Sequence, residues 1–274
     1  MESAPANDPR VVAFARLVGI VDRLRAPDGC PWDKKQTLAS MAPCLVEEAY
    51  ETLEAIETGR DVDVAEEAGD VLMVVALICR IAQDEGRFDL ARAAAAVADK
   101  LVRRHPHVFG DVRADSAEAA IQSWEAVKKS ERSAKKEDDS ALAGVPATLP
   151  ALQRARRVGA KAVAAGFRWD DADGAIAKVA EEVAEFQEAL AGGDRAHIEH
   201  ELGDVLLAAA FAGVYLDLDP ERLCREAIRR FERRFRAMEA SIAKPLAERS
   251  LEELLAAWAR AKSSESGARP AGSG

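Results

Sequence analysis

A chain of 274 residues, 49% of them apolar, can bury a sizeable core in one large or two smaller domains. Its net charge of −10 argues against a nucleic-acid binder, which carries a basic patch or stripe, although an acidic enzyme can still bind polyphosphates when metal ions bridge the repulsion. The longest apolar run, Val71 to Cys79, falls far short of the roughly 20 residues that span a bilayer, so no membrane segment is expected.

The N-terminus has neither a basic region nor an apolar stretch of the signal-peptide kind, and the expected compartment is the cytoplasm. The four cysteines, Cys30, Cys44, Cys79 and Cys224, form no C-x-x-C pair and read as thiols in a reducing environment. Alternating β-branched runs are absent, whereas Ala, Leu, Glu and Arg dominate and apolar residues recur at helical spacing. The predicted fold class is therefore all-α. In chain order, helices are expected over roughly 9–25, 38–58, 62–85, 88–104 and 116–133, then 150–165, 173–191, 194–217, 220–242 and 250–264. These group into an N-terminal domain, 9–133, and a C-terminal domain, 150–264. The charged and then Gly/Pro-punctuated stretch 134–149 reads as a linker, and the Ser/Gly-rich residues 265–274 as a disordered tail.

The two sets repeat each other. Glu47-Glu48-x-x-Glu51 recurs 134 residues later as Glu181-Glu182-x-x-Glu185, and Glu67-Ala-Gly-Asp70-Val-Leu as Glu201-Leu-Gly-Asp204-Val-Leu. Trp124 and Lys128 recur as Trp258 and Lys262. With 48 acidic residues in 274, five chosen acidic positions match by chance with a probability on the order of 0.0002, so duplication is the better reading.

Residues three or four apart share a helix face. Glu48 with Glu51, and Glu67 with Asp70, therefore form two pairs on helices joined by a short connection near Gly59 to Asp61. The run after Asp70 is apolar almost all round, which predicts a buried helix and inward-facing acids. Carboxylates 4 Å apart repel by roughly 4 kcal/mol at an effective dielectric near 20, so protons, basic partners or a divalent cation must offset them. An all-oxygen set suits Mg²⁺ or Mn²⁺ rather than zinc. A solvated helix face is the bland reading of one such motif, and the duplication together with the adjoining apolar run favours the site.

The pattern Glu-Glu-x-x-Glu followed by Glu-x-x-Asp resembles the MazG family of all-α nucleoside triphosphate pyrophosphohydrolases, in its tandem-domain form. Gly29-Cys-Pro-Trp-Asp33, Arg103-Arg-His-Pro-His-Val-Phe109, Gly166-Phe-Arg-Trp169 and Phe231-Glu-Arg-Arg-Phe235 are similar to it as well, and the likeness covers roughly residues 10 to 265. The resemblance implies hydrolysis of ribo- and deoxyribonucleoside triphosphates to monophosphate and diphosphate. It implies Mg²⁺, with Mn²⁺ as a substitute, and a homodimer whose helices form four-helix bundles. It also implies metal ligands Glu182, Glu185, Glu201 and Asp204, with Glu48, Glu51, Glu67 and Asp70 as counterparts, and a nucleotide site including Lys178, Arg230, Arg234 and Trp258. Glu181, or Glu47 in the first half, is the expected group for orienting or deprotonating water, beside the catalytic ligand Glu182.

Lys178 corresponds to Cys44 in the first half, which cannot meet a phosphate as a cation, so the second half is the expected active site. Bland alternatives stand beside these: an ion pair of Lys178 with Glu182, a solvated face for Arg230 and Arg234, and a core position for Trp258. A non-catalytic, nucleotide-sensing dimerisation module is the alternative to the enzyme.

Overall fold

The computed structural model describes residues 5–134, 138, 140–242 and 245–267. The chain divides between residues 135 and 136 into two compact units, and among the described residues there is no strand. The architecture is all-α, as composition and periodicity predict.

In the first unit, α1 spans Pro9–Arg25, α2 Leu38–Thr58, α3 Asp61–Asp84, α4 Leu90–Arg104, α5 Pro106–Phe109 and α6 Ala117–Ala134. A 3₁₀ turn, Asp33–Lys35, precedes α2. The second unit holds α7 Ala151–Ala164, α8 Ala172–Gly192, α9 Arg195–Tyr215, α10 Pro220–Ala240 and α11 Leu251–Gly267, with a 3₁₀ turn at Leu246–Glu248. The helical tract α11 runs through 265–267, inside the stretch expected to be a disordered tail; residues 268–274 lie outside the described residues, as does most of 135–139 in the expected linker.

The duplication is built into the helix ends. Thr37 caps α2 through a reciprocal pair with Ser40, and Asp171 caps α8 by accepting from the Gly174 N–H. Gly59 and Gly193, 134 residues apart, end the first helix of each hairpin in the left-handed conformation, with φ of 73° and 76°. A side chain there would meet the Cβ penalty that glycine escapes. The next helix starts two residues later in each case, giving the antiparallel hairpins α2–α3 and α8–α9.

The first core is formed by Val21, Met41, Val74, Ala76, Leu77 and Ile81, with Leu17, Leu38 and Leu45 packed around it. One face of α3 thus supplies Val74, Leu77 and Ile81, four or three residues apart. Arg25 and Arg80 clamp the far end of α3: Arg25 pairs with Asp84 at 2.8 Å, and Arg80 with Asp22 at 2.6 Å and Asp84 at 3.0 Å. Arg25 also donates to the Asp33 carbonyl at 2.5 Å, tying down the segment before α2. Gly29 in that segment admits no side chain, because a Cβ would come 2.3 Å from the Leu24 carbonyl oxygen.

In the second unit, α7 packs closely on α9, where Gly159 lies against Phe211 and Val214. Tyr215 accepts from the Trp169 N–H at 2.8 Å through its hydroxyl, which fixes the segment leading into α8. A second core, Met238, Ala257 and Ala261 with Phe235, Ile242 and Trp258, joins α10 to α11.

The expectation that the helix after Asp70 is buried all round is corrected. Within the single chain Leu72, Met73 and Val75 are exposed, as are Val46 and Tyr50 on α2. The second hairpin repeats this with Ile176, Val183, Leu202, Leu206 and Leu207. Each hairpin has two apolar faces, and its own unit covers only one.

Candidate metal and nucleotide site

The middle of each hairpin gathers three acids. Carboxylate oxygens of Glu48, Glu67 and Asp70 lie within 4.8 Å of one another, and so do those of Glu182, Glu201 and Asp204. Antiparallel pairing of α2 with α3, and of α8 with α9, produces this by placing the second acid of the Glu-Glu-x-x-Glu motif against the Glu-x-x-Asp pair of the other helix. Glu51 and Glu185, expected as fourth ligands, stand outside these groups and are exposed. Their carboxylate oxygens do not join the sets gathered within 4.8 Å, so each sits on the flank of its cluster rather than in it.

The two clusters differ in their surroundings. Glu182 and Glu201 are both buried at 8% exposure, whereas Glu48, Glu67 and Asp70 are half-buried. Lys178 reaches the second cluster, with its Nζ 2.6 Å from Glu181 and 2.9 Å from Glu182. These two carboxylates hold its ammonium well above the ordinary lysine range. Glu181 itself is exposed and turned to Lys178. In the first half the same position is Cys44, whose thiol contacts the Ser40 carbonyl at 3.8 Å and supplies no charge. Burial raises the carboxyl of Glu48, and repulsion from Asp70, Glu51, Glu67 and Glu47 adds to it. Burial likewise raises Glu67, with Glu51 and Asp70 contributing.

Two contacts went unread in the sequence. His197 Nε2 lies 3.1 Å from Glu201, and His200 Nε2 lies 3.3 Å from Asp204. Their i,i+4 spacing to two of the acids was the available signal.

Arg230 and Arg234 stand on α10, which packs on α7 and more lightly on α9, and Trp258 stands on α11, which packs on α10. Trp258 is half-buried, with its ring 5.1 Å from that of Phe231, and it belongs to the α10–α11 core. An open cleft of about 220 Å³ beside it is lined by Arg233, Arg234, Ala237, Ala261 and Ser264. In the first half, Arg104 is held by Glu131 at 2.7 Å and Trp124 packs on His105 at 5.4 Å. His105 and His107 are 5.6 Å apart as rings, and neither joins an acidic cluster.

The raised acids set a sign for pH dependence. A carboxyl raised in the folded state contributes stability below the ordinary value of roughly 4.5, and that contribution is lost as pH rises through the folded value. Metal-free Glu48→Gln and Glu67→Gln variants should therefore melt above the parent at pH 7.5, with the advantage vanishing at pH 4. Thermal melts in EDTA at the two pH values check this, and a lowered melting temperature at pH 7.5 contradicts it.

Fold and clusters together define an all-α protein of two like halves, each centred on a carboxylate-bearing helix hairpin. The MazG nucleotide pyrophosphohydrolase domain matches residues 36–109 and again 172–237, and the chain belongs to that family. A relative from Thermotoga maritima, nucleoside triphosphate pyrophosphohydrolase/pyrophosphatase MazG, is 39% identical over 254 residues, covering 92% of this chain and 96% of the relative. The nucleoside triphosphate pyrophosphohydrolase of Escherichia coli K12 is 42% identical over 231 residues, covering 83% and 88%. The crystal structure of a mazG-related protein from Thermotoga maritima matches 42% of this chain and 98% of its own, at 30% identity and a TM-score of 0.38. Among the described residues, no helix is long and apolar enough to cross a membrane.

Proposed function

We propose that the chain hydrolyses nucleoside triphosphates, ribo- and deoxyribo- alike, to the monophosphate and diphosphate, with Mg²⁺ as the working cation and Mn²⁺ as a substitute. The observation that carries this is the acidic triple built twice at the centre of a helix hairpin, in a chain of this family. The donor set fits a hard dication: three carboxylates with oxygens within 4.8 Å, two of them buried where their mutual repulsion is poorly screened.

In the second half, Glu182, Glu201 and Asp204 would hold the cation, with Glu185 completing the set from the flank. When bound, the cation supplies charge neutralisation for the triphosphate and acidifies water. Lys178 adds a point charge one helical turn from Glu182, suited to a phosphate oxygen. Arg230 and Arg234 on α10, with Trp258 beside them, would receive the rest of the nucleotide. Glu181, exposed and not drawn into the triple, is the group to orient water and take its proton as the water oxygen bonds to phosphorus. The anhydride bond breaks and diphosphate leaves. Glu47, Glu48, Glu51, Glu67 and Asp70 are the first-half counterparts. Both hairpins retain their acids, which speaks against a non-catalytic module.

The exposed apolar faces of α2–α3 and α8–α9 support a homodimer in which a second copy covers them, completing four-helix bundles. The absence of a membrane-length helix among the described residues is compatible with work in the cytoplasm.

Product identification tests the reaction. With each triphosphate and Mg²⁺, anion-exchange chromatography should show monophosphate and diphosphate in equal amounts. Diphosphate nucleotide with orthophosphate would assign cleavage to the other anhydride and overturn the reading.

A further inference from the structure

The two halves differ at two more positions on the second helix of the hairpin. His197 and His200 on α9 correspond, at the 134-residue shift, to Asp63 and Glu66 on α3. Each histidine sits one turn before an acid of the triple, His197 against Glu201 Oε1 at 3.1 Å and His200 against Asp204 Oδ2 at 3.3 Å. An ionised carboxylate only accepts, so Nε2 of His197 carries the hydrogen in its bond to Glu201, while His200 meets Asp204 as an ion-pair contact. In the first half those positions add two negative charges beside Glu67 and Asp70 instead of two donors.

We propose that His197 and His200 are positioning residues for the cation site of the second half, an inference that rests on the cation-dependent reading above. His197 donates through Nε2–H to one oxygen of Glu201, and His200 faces one oxygen of Asp204, which in each carboxylate leaves the other oxygen for the cation. Glu201 and Asp204 are thereby held towards Glu182 before any cation arrives. Neither imidazole nitrogen belongs to the set of atoms that all lie within 4.8 Å of one another, which makes the histidines supports rather than ligands. Their side chains are 53% and 72% exposed, so replacing them removes the donors without opening the core.

The test is a Mn²⁺ titration of the full-length protein carrying Glu48→Gln and Glu67→Gln, so that the second half alone is read, with free Mn²⁺ followed by EPR. Adding His197→Ala and His200→Ala should raise the Kd by about 10-fold or more, the scale of outer ligand supports, while His197→Gln with His200→Gln should stay within about 3-fold of the parent. Circular dichroism melts of both pairs should match the parent. An unchanged Kd in the alanine pair overturns the inference alone. So does a glutamine pair as weak as the alanine pair, or a pulsed-EPR signature of imidazole nitrogen bound directly to Mn²⁺. A parent that binds no Mn²⁺ overturns the cation-dependent reading itself, and this inference with it.

Discussion

Glu182→Gln should lower kcat by about 10³-fold or more, roughly 4 kcal/mol of barrier, because on the proposed reading it would remove a charged ligand from the place where charge must be neutralised in the transition state. Glu182 is the buried member contributed by α8, faces Glu201 and Asp204 across the hairpin, and is paired with Lys178 at 2.9 Å. Glutamine keeps the volume and one carbonyl oxygen, so the fold should persist. The matched change in the first half, Glu48→Gln, should cost less than about 10-fold on the same scale. The contrast follows from the surroundings. The first cluster has Cys44 where the second has the Lys178 ammonium, carries Asp63 and Glu66 where the second has histidines, and its Glu48 and Glu67 carboxyls are raised by burial and crowding. A site so arranged attracts hydrated cations and repels a triphosphate. Steady-state kinetics on both variants decide the matter, and the reverse ranking would move the work to the first half.

Lys178→Met should lower kcat/KM by about 10- to 100-fold, mostly through KM, which corresponds to a charge-assisted hydrogen bond of about 1.5–3 kcal/mol. The ammonium is held by Glu181 and Glu182 in the nucleotide-free chain. The ion-pair reading and the phosphate reading of this lysine are therefore compatible: the same two carboxylates that pair with it aim it at the site. Lys178→Arg keeps the charge and should recover most of the loss in KM, though arginine's planar fork cannot reproduce a point charge on a short reach. A wild-type KM in Lys178→Met would leave the lysine with its pairing role alone.

Much of this was legible in the sequence because the duplication supplies an internal control. A shift of 134 carries Gly59 onto Gly193 and Asp61 onto Arg195, so the hairpins could be placed from spacing alone. The start of α2 at Leu38 was legible, although its cap pairs Thr37 with Ser40 where glutamate or glutamine is the customary partner, and the helix the sequence hid has an unusual signal. The short α5 opens on Pro106 immediately after His105, where a proline reads first as a stop. The acidic cluster was legible as a set but not as a triple. Helical spacing puts Glu51 beside Glu48 and Glu185 beside Glu182, yet it cannot say which of two neighbours turns inward. The half-exposed α3 was misread for a related reason: an all-round apolar helix must be covered, but the pattern does not say that the cover comes from its own chain. Trp258 shows the same limit, since spacing could not show that its ring is half-buried against Phe231 at the edge of the α10–α11 core.

The most direct test of the central claim, that inward acids of the second hairpin grip a dication which in turn holds a triphosphate, is anomalous diffraction from crystals grown with Mn²⁺ and a non-hydrolysable triphosphate analogue. The account predicts an anomalous peak bonded to carboxylates of Glu182, Glu201 and Asp204, with phosphate oxygens of the analogue completing its coordination. Analogue bound without a peak there, or a peak held by other residues with the three carboxylates free, would contradict it.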